Sequence, residues 1–208
     1  MSGRLRVLVA CEESQEVCKA FRAKGHEAYS CDLQDCSGGH PEWHIKADAL
    51  EILKLEWDLI IAHPPCTYLS NAGARWLYAG KQLNEERYQK GLDGKDFFMQ
   101  FFNAKCERIA IENPIPSSVY QMPQYTQVIE PYYFGEPWSK KRVFGSKVCR
   151  RYSRPKSFMT TSLIAHRAVI AETMTRNTRE HQGKAGQQKP EARLSRVLPV
   201  LWQSNGGD

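Results

Sequence analysis

Short, uninterrupted apolar runs alternate with amphipathic stretches over the first two-thirds of the chain. Arg6–Ala10 (RVLVA) is such a run, rich in β-branched residues, which is the pattern of a strand covered on both faces. A polar turn, Cys11–Gln15, follows it, and then Val17, Ala20 and Phe21 at helical spacing, with Gly25 placed as the C-cap. His26–Ser30 predicts a second strand that ends at Cys31-Asp32. A loop over Ser37–His44 and a helix around Ala49–Leu55 come next. Asp58–Ala62 (DLIIA) predicts a third strand, stopped by His63-Pro64-Pro65 because proline cannot continue a central strand. Residues 82–105 predict a helix with an apolar stripe through Leu92, Phe97, Phe98, Phe101 and Phe102. Arg108–Ile111 predicts a fourth strand, stopped by a Glu112-Asn113-Pro114 turn.

Strands that alternate with helices predict an α/β fold: a parallel sheet with helices on both faces. Ligands of such sheets collect beyond the carboxyl ends of the strands. The polar turns at residues 11–15, 32, 63–66 and 112–114 all fall at those ends, which makes them the candidate site.

Charge changes the picture only in the tail. Residues 1–141 hold 16 Lys/Arg against 19 Asp/Glu, whereas residues 142–208 hold 13 against 4. The whole basic excess therefore lies after Lys141, as in a solvated or phosphate-binding arm. Seven cysteines without paired spacing do not describe a disulfide framework and fit reduced thiols. No apolar run approaches the roughly 20 residues of a membrane span, and the N-terminus meets acidic residues too early for a secretory signal. These features predict a soluble, cytoplasmic protein.

Cys66 follows two prolines immediately past a buried strand. The prolines narrow the conformations of the turn and so hold the thiol in place, as a nucleophile requires. Glu112 also ends an apolar strand, where a carboxylate is costly unless paired or protonated, and a raised pKa would suit it to donate to a ring nitrogen. Asn113-Pro114 fixes the backbone beside it. Asp32 stands where a Rossmann-like sheet keeps an acid for ribose hydroxyls, and Asp48 is placed for an adenine contact. Cys31, Cys36, His40 and His44 have spacings that could in principle hold zinc, but the first spacing is loose and no second dyad supports it, so they read as a polar loop and no metal is expected.

Together these residues resemble the cytosine-5 DNA methyltransferases. RVLVA with its turn resembles their first cofactor motif, Asp32 their ribose-binding acid, Pro64-Pro65-Cys66 their nucleophile motif and Glu112-Asn113-Pro114 their Glu-Asn-Val motif. The segments CEESQ, PPCTYLS and IENP are most similar to the short phage and prophage members, over about residues 4–141. The resemblance implies a Rossmann-like S-adenosylmethionine-dependent sheet. It implies Cys66, Glu112 and Asn113 as catalytic residues. It places Cys11, Glu12, Ser14, Asp32, Asp48 and Pro64 around S-adenosyl-L-methionine. The implied partner is DNA, with the target cytosine flipped out of the stack; no membrane and no obligate protein partner are implied. The first turn lacks the glycines of the larger enzymes, and no long target-recognition domain is present. A nonenzymatic DNA-binding relative, or an enzyme making another pyrimidine modification, would share the same residues.

After Lys141 the strand–helix alternation stops. Two domains are thus expected: a catalytic domain over residues 1–141, and a basic polar tail over 142–208. Ser139–Phe144 (SKKRVF) resembles the family's Arg-rich phosphate-contact motif. Read one base out of register with permitted codons, residues 142–156 and 190–207 instead resemble the C-terminal part of the short phage proteins. A frameshifted, disordered tail would lack the final strand and C-terminal helix, and would leave the sheet edge and cofactor pocket uncovered.

Overall fold

Runs of aliphatic residues with no polar break can persist only where a sheet is covered on both faces, and three such runs form the centre of this molecule. The computed structural model describes residues 3–130, 137 and 141–147. Along the chain the elements are β1 (Arg6–Ala10), α1 (Glu16–Ala23), β2 (Glu27–Asp32), β3 (His44–Lys46), α2 (Ala49–Ile52), β4 (Leu59–Ala62), α3 (Asn71–Ala74), β5 (Tyr78–Ala79), β6 (Gln82–Leu83), α4 (Glu85–Phe102), β7 (Ile109–Pro114), β8 (Gln127–Ile129) and β9 (Arg142–Lys147). Seven strands form one sheet in the order β3-β2-β1-β4-β7-β9-β8, and β5 pairs with β6 in a separate hairpin.

The first five strands of that order are parallel. Strand β9 runs antiparallel to both β7 and β8. Setting the hairpin aside, this is a doubly wound sheet with one reversed strand slotted between its last two. The fold is Rossmann-like. Its parallel strands bring the ends of β1, β2, β4 and β7 to one edge, as the positions of the polar turns predicted.

Residues on alternate positions face opposite layers. Val7, Val9, Leu59, Ile61, Ala110 and Phe144 cluster with Val17, Cys18 and Phe21 of α1. On the other face, a Cβ added to Gly145 would touch Phe98 of α4 at 3.6 Å, and Gly145 is two residues on from Val143. Helices α1 and α4 therefore cover opposite faces, as expected. Of the predicted stripe on α4, Phe98 and Phe101 are buried and Leu92, Phe97 and Phe102 half-buried. Gly25, at φ 82°, sits one residue past the α1 cap Lys24, in the left-handed conformation that glycine adopts without strain.

Three expectations need correction. The helix predicted from residue 82 starts at Glu85, where the Asn84 side chain caps it by accepting from Arg87 N at 3.0 Å; residues 82–83 belong to the hairpin. Glu112-Asn113-Pro114 is not a turn but the end of β7, paired with Phe144, Val143 and Arg142. Pairing with β4 ends at Ile111, so Pro114 lies where β7 has a strand on one side only, a position that tolerates a missing N–H. The final strand expected to be lost is present. Val143 and Phe144 are buried at 2% and 5% exposure, so the β-branched and aromatic residues just past Lys141 fill the slot between β7 and β8. The sheet thus extends past the compositional boundary at 141. The rest of the tail, residues 148–208, to which the frameshift and disorder expectations apply, lies outside the described residues. No helix among the described residues is long and apolar enough to cross a membrane.

Candidate active site at the carboxyl edge

The edge is stitched together by backbone bonds between neighbouring strand ends. Glu12 N donates to Cys31 O at 3.2 Å, His63 N to Ala10 O at 3.0 Å, and Ala47 N to Asp32 O at 3.1 Å. The turns after β1, β2 and β4 are therefore held against one another.

At the β1 end, Cys11 and Gln15 both adopt left-handed backbone conformations, at φ 58° and 59°. The Gln15 side chain is fully buried; it donates to Ser30 Oγ and His40 O and accepts from His40 N at 3.0 Å. This pins the 33–44 loop over the turn. Gly38 approaches so closely that a Cβ there would lie 2.5 Å from Ser14 O. Ser14 is thus roofed by the loop. Glu12, expected to contact cofactor, turns inward: its carboxylate accepts from Val17 N at 2.7 Å and Cys18 N at 3.2 Å, capping α1.

Asp32 and Asp48 stand beside Cys11, whose thiol is pushed up to about 12 by burial and then by these two acids. Asp32 accepts from Gln34 N at 3.0 Å, and Asp48 caps α2 through Leu50 N at 2.9 Å. Two carboxylates around a strained turn suit a ligand that offers hydroxyls or positive charge.

Burial also raises the thiols of Cys18 and Cys31 to about 12, and that of Cys106 above its ordinary value. Raised in this way, those four thiols are poorer nucleophiles than a free one. Cys66, partly exposed like Cys11 and Cys106, differs in lying in the turn after buried Pro64 and exposed Pro65. Its carbonyl accepts from Leu69 N and Ser70 N, both at 3.2 Å, which closes the turn around it.

Strands β4 and β7 are neighbours, with Ala62 paired to Ile111, so the Cys66 turn and Glu112 emerge side by side. His63 Nδ1 lies 3.5 Å from Glu112 Oε2, and Arg142 Nε lies 3.0 Å from Oε1. The arginine is at ion-pair distance without the alignment of a hydrogen bond. Asn113 is buried, and its Oδ1, like His63 Nε2, has no hydrogen-bond partner. A buried polar atom in that state costs about 1–3 kcal/mol, and the histidine beside the carboxylate therefore marks a place where a polar ligand would recover energy.

Sequence reasoning found Cys66, Glu112 and Asn113 but treated His63 only as a strand stop and Arg142 only within a phosphate-contact motif. A histidine directly before Pro-Pro-Cys was a visible signal. Arg142 depends on β9 pairing with β7, which no local pattern reveals. Of the residues set aside for zinc, the two histidines have other partners. His44 uses both ring nitrogens, on Ser30 Oγ at 2.8 Å and Gln34 O at 2.9 Å, and His40 stacks on Trp43 with ring centroids 3.7 Å apart.

No family model and no curated protein matches the chain. Among solved structures it is similar to the Entamoeba histolytica methyltransferase EhMeth, at 14% identity and TM-score 0.47, over 77% of this chain and 57% of that one. A putative DNA modification methyltransferase encoded within an Escherichia coli prophage is similar at 15% identity and TM-score 0.41, over 67% of this chain and 45% of that one. The Schizosaccharomyces pombe Dnmt2 methyltransferase is similar at 14% and 0.40, over 90% and 58%. The chain thus spans about half the length of these structures. At such identities and scores the likeness adds nothing to the residue assignments, which rest on the geometry.

Proposed function

We propose that the chain transfers a methyl group from S-adenosyl-L-methionine to carbon 5 of cytosine in DNA. The observation that carries this reading is the contact between the two motifs: His63, in the nucleophile turn, meets Glu112 on the neighbouring strand at 3.5 Å. A thiol and a carboxylate carried on such neighbouring strand ends can act on one planar ring.

In this reading the Cys66 sulfur adds to carbon 6, and the ring's electron pair moves toward carbon 5. Glu112 hydrogen-bonds the ring nitrogen 3 edge and the exocyclic amino group, and Arg142 and His63 hold its two oxygens in place. Asn113, the next residue of β7, faces the other side of the strand and would hold the strand end that carries Glu112 rather than touch the base. S-adenosyl-L-methionine supplies the methyl that carbon 5 receives. Loss of the carbon 5 proton to a base then expels Cys66 and restores the ring. Asp32 and Asp48 would hold the cofactor's ribose and adenine, with the Cys11–Ser14 turn and Pro64 as its further contacts. Glu12 contributes by holding the start of α1 rather than by contact.

Cys66→Ala abolishes methyl transfer to DNA, and cytosine-5-fluorinated DNA forms a covalent adduct with the wild-type chain through Cys66. Radiolabel transfer and mass spectrometry read both. Transfer that persists in Cys66→Ala removes the mechanism; an adduct with a different pyrimidine product would point to a related modification instead.

A further inference from the structure

The link between the Cys66 turn and α4 is more elaborate than a connection between strand and helix requires. Residues 67–84 contain α3 and the β5–β6 hairpin, with two cations, Arg75 and Lys81, and no carboxylate. Leu77 is buried at 1% exposure, whereas its neighbours Trp76 and Tyr78 stand 60% and 54% exposed. An apolar anchor thus holds two large rings out in solvent. The Arg75 guanidinium lies over the Trp76 ring at 4.9 Å.

This segment is fastened rather than loose. Ser70 Oγ caps α3 by accepting from Gly73 N at 3.1 Å. Arg87 donates to Gly73 O from Nε at 3.2 Å and from Nη2 at 3.1 Å. Asn84 N donates to Leu77 O at 2.8 Å, closing the base of the hairpin. Asn71 N donates to Ile115 O at 3.1 Å, and Ser117 N to Leu69 O at 2.8 Å. The last two bonds tie it to the chain that directly follows Glu112-Asn113-Pro114. The aromatic pair is therefore fixed relative to both halves of the candidate site.

We propose that Trp76 and Tyr78, with Arg75 and Lys81, form a stacking shelf for unpaired nucleotides that flank the base held at Cys66 and Glu112. The substrate is accordingly single-stranded nucleic acid at this position. This rests on the function proposed above and deepens it. Exposed aromatic faces stack on bases of any sequence, and exposed cations suit phosphates. In a duplex the base faces are already covered, so the shelf has value only for unpaired ones. A protein partner fits less well: the other exposed positions, among them Asn71, Gly80 and Gln82, are small or amide-bearing and make no continuous apolar patch.

The test is fluorescence anisotropy of the full chain with an end-labelled, cytosine-containing DNA of about 12 nucleotides, single-stranded or annealed to its complement. The single strand is expected to bind more tightly than the duplex. Trp76→Ala with Tyr78→Ala weakens single-strand binding at least about fivefold, the low end of what one base–aromatic stack contributes. Trp76→Phe, which keeps a ring, binds nearly as the wild type, whereas Trp76→Leu, equally apolar, does not. That contrast holds even if the double variant folds poorly. Equal binding by Trp76→Phe and Trp76→Leu, or a duplex bound as tightly as the single strand, overturns the shelf. Methyl transfer to single-stranded DNA undiminished in the double variant also sinks the shelf while leaving the proposed chemistry intact. Shelf-dependent binding without any methyl transfer leaves the shelf and overturns the chemistry.

Discussion

Glu12 and Glu112 both lie at the end of a buried parallel strand, yet their carboxylates meet different partners. Glu12 is 5% exposed and accepts two backbone N–H groups of α1; Glu112 is set between a histidine and an arginine. A capping carboxylate answers the unpaired donors of a helix start and their positive end of the dipole. Glu12→Ala would leave Val17 N and Cys18 N buried without acceptors, and should destabilise the chain by about 1–3 kcal/mol in urea unfolding. Glu12→Gln, which keeps one acceptor oxygen, should recover part of that loss. An alanine variant as stable as the wild type would show that the cap contributes nothing.

The carboxyl edge depends on how its elements are held apart as well as on what they carry. Helix α4 contains Gly91, and a Cβ there would lie 2.1 Å from Cζ of Tyr120. Tyr120 is 1% exposed and stacks on Tyr88 with centroids 5.9 Å apart, so its ring has nowhere to move. Alanine in a helix interior ordinarily gains about 1 kcal/mol over glycine. Overpacking costs about 1–3 kcal/mol, and it wins here because the clash falls on a rigid ring. Gly91→Ala should therefore lower the melting temperature, where helix propensity alone predicts a rise. The same packing explains why the stripe on α4 was legible in sequence while its start was not. Phe98 and Phe101 follow the helical period, but a short hairpin such as β5–β6 leaves no period to read.

At the scale of the whole molecule, stability should respond to pH through His26, which joins the start of β1 to the end of α1. Its Nδ1 accepts from Leu5 N at 3.3 Å, and its ring lies 5.9 Å from that of Phe21. Burial, and then Lys24, hold its pKa below the ordinary value of 6.5. The unfolded chain therefore takes up the proton more readily than the folded one. The contribution of His26 is fully present above about pH 6.5 and is lost as the pH falls from there toward the lowered folded-state value. Urea unfolding at several pH values should show this decline, and His26→Gln should flatten it. An unchanged slope in that variant would assign the decline to other groups.

The order of strands and helices, the turns at the strand ends and the pairing of Cys66 with Glu112 as candidates were determined by the sequence alone. Uninterrupted aliphatic runs such as RVLVA and LIIA need cover on both faces, and prolines and polar turns can only end them. Those are local constraints, written into a few consecutive residues. Tertiary structure decided the rest. Register placed Ala62 beside Ile111 and so brought His63 to Glu112. Antiparallel pairing put Arg142 opposite Pro114, close enough to reach the same carboxylate from a segment whose composition resembles a tail. The start of α1 claimed Glu12, because a helix leaves its first N–H groups unpaired and this carboxylate was the one within reach. Contacts between residues far apart in the chain depend on which strand lies next to which, and no window of sequence contains that information.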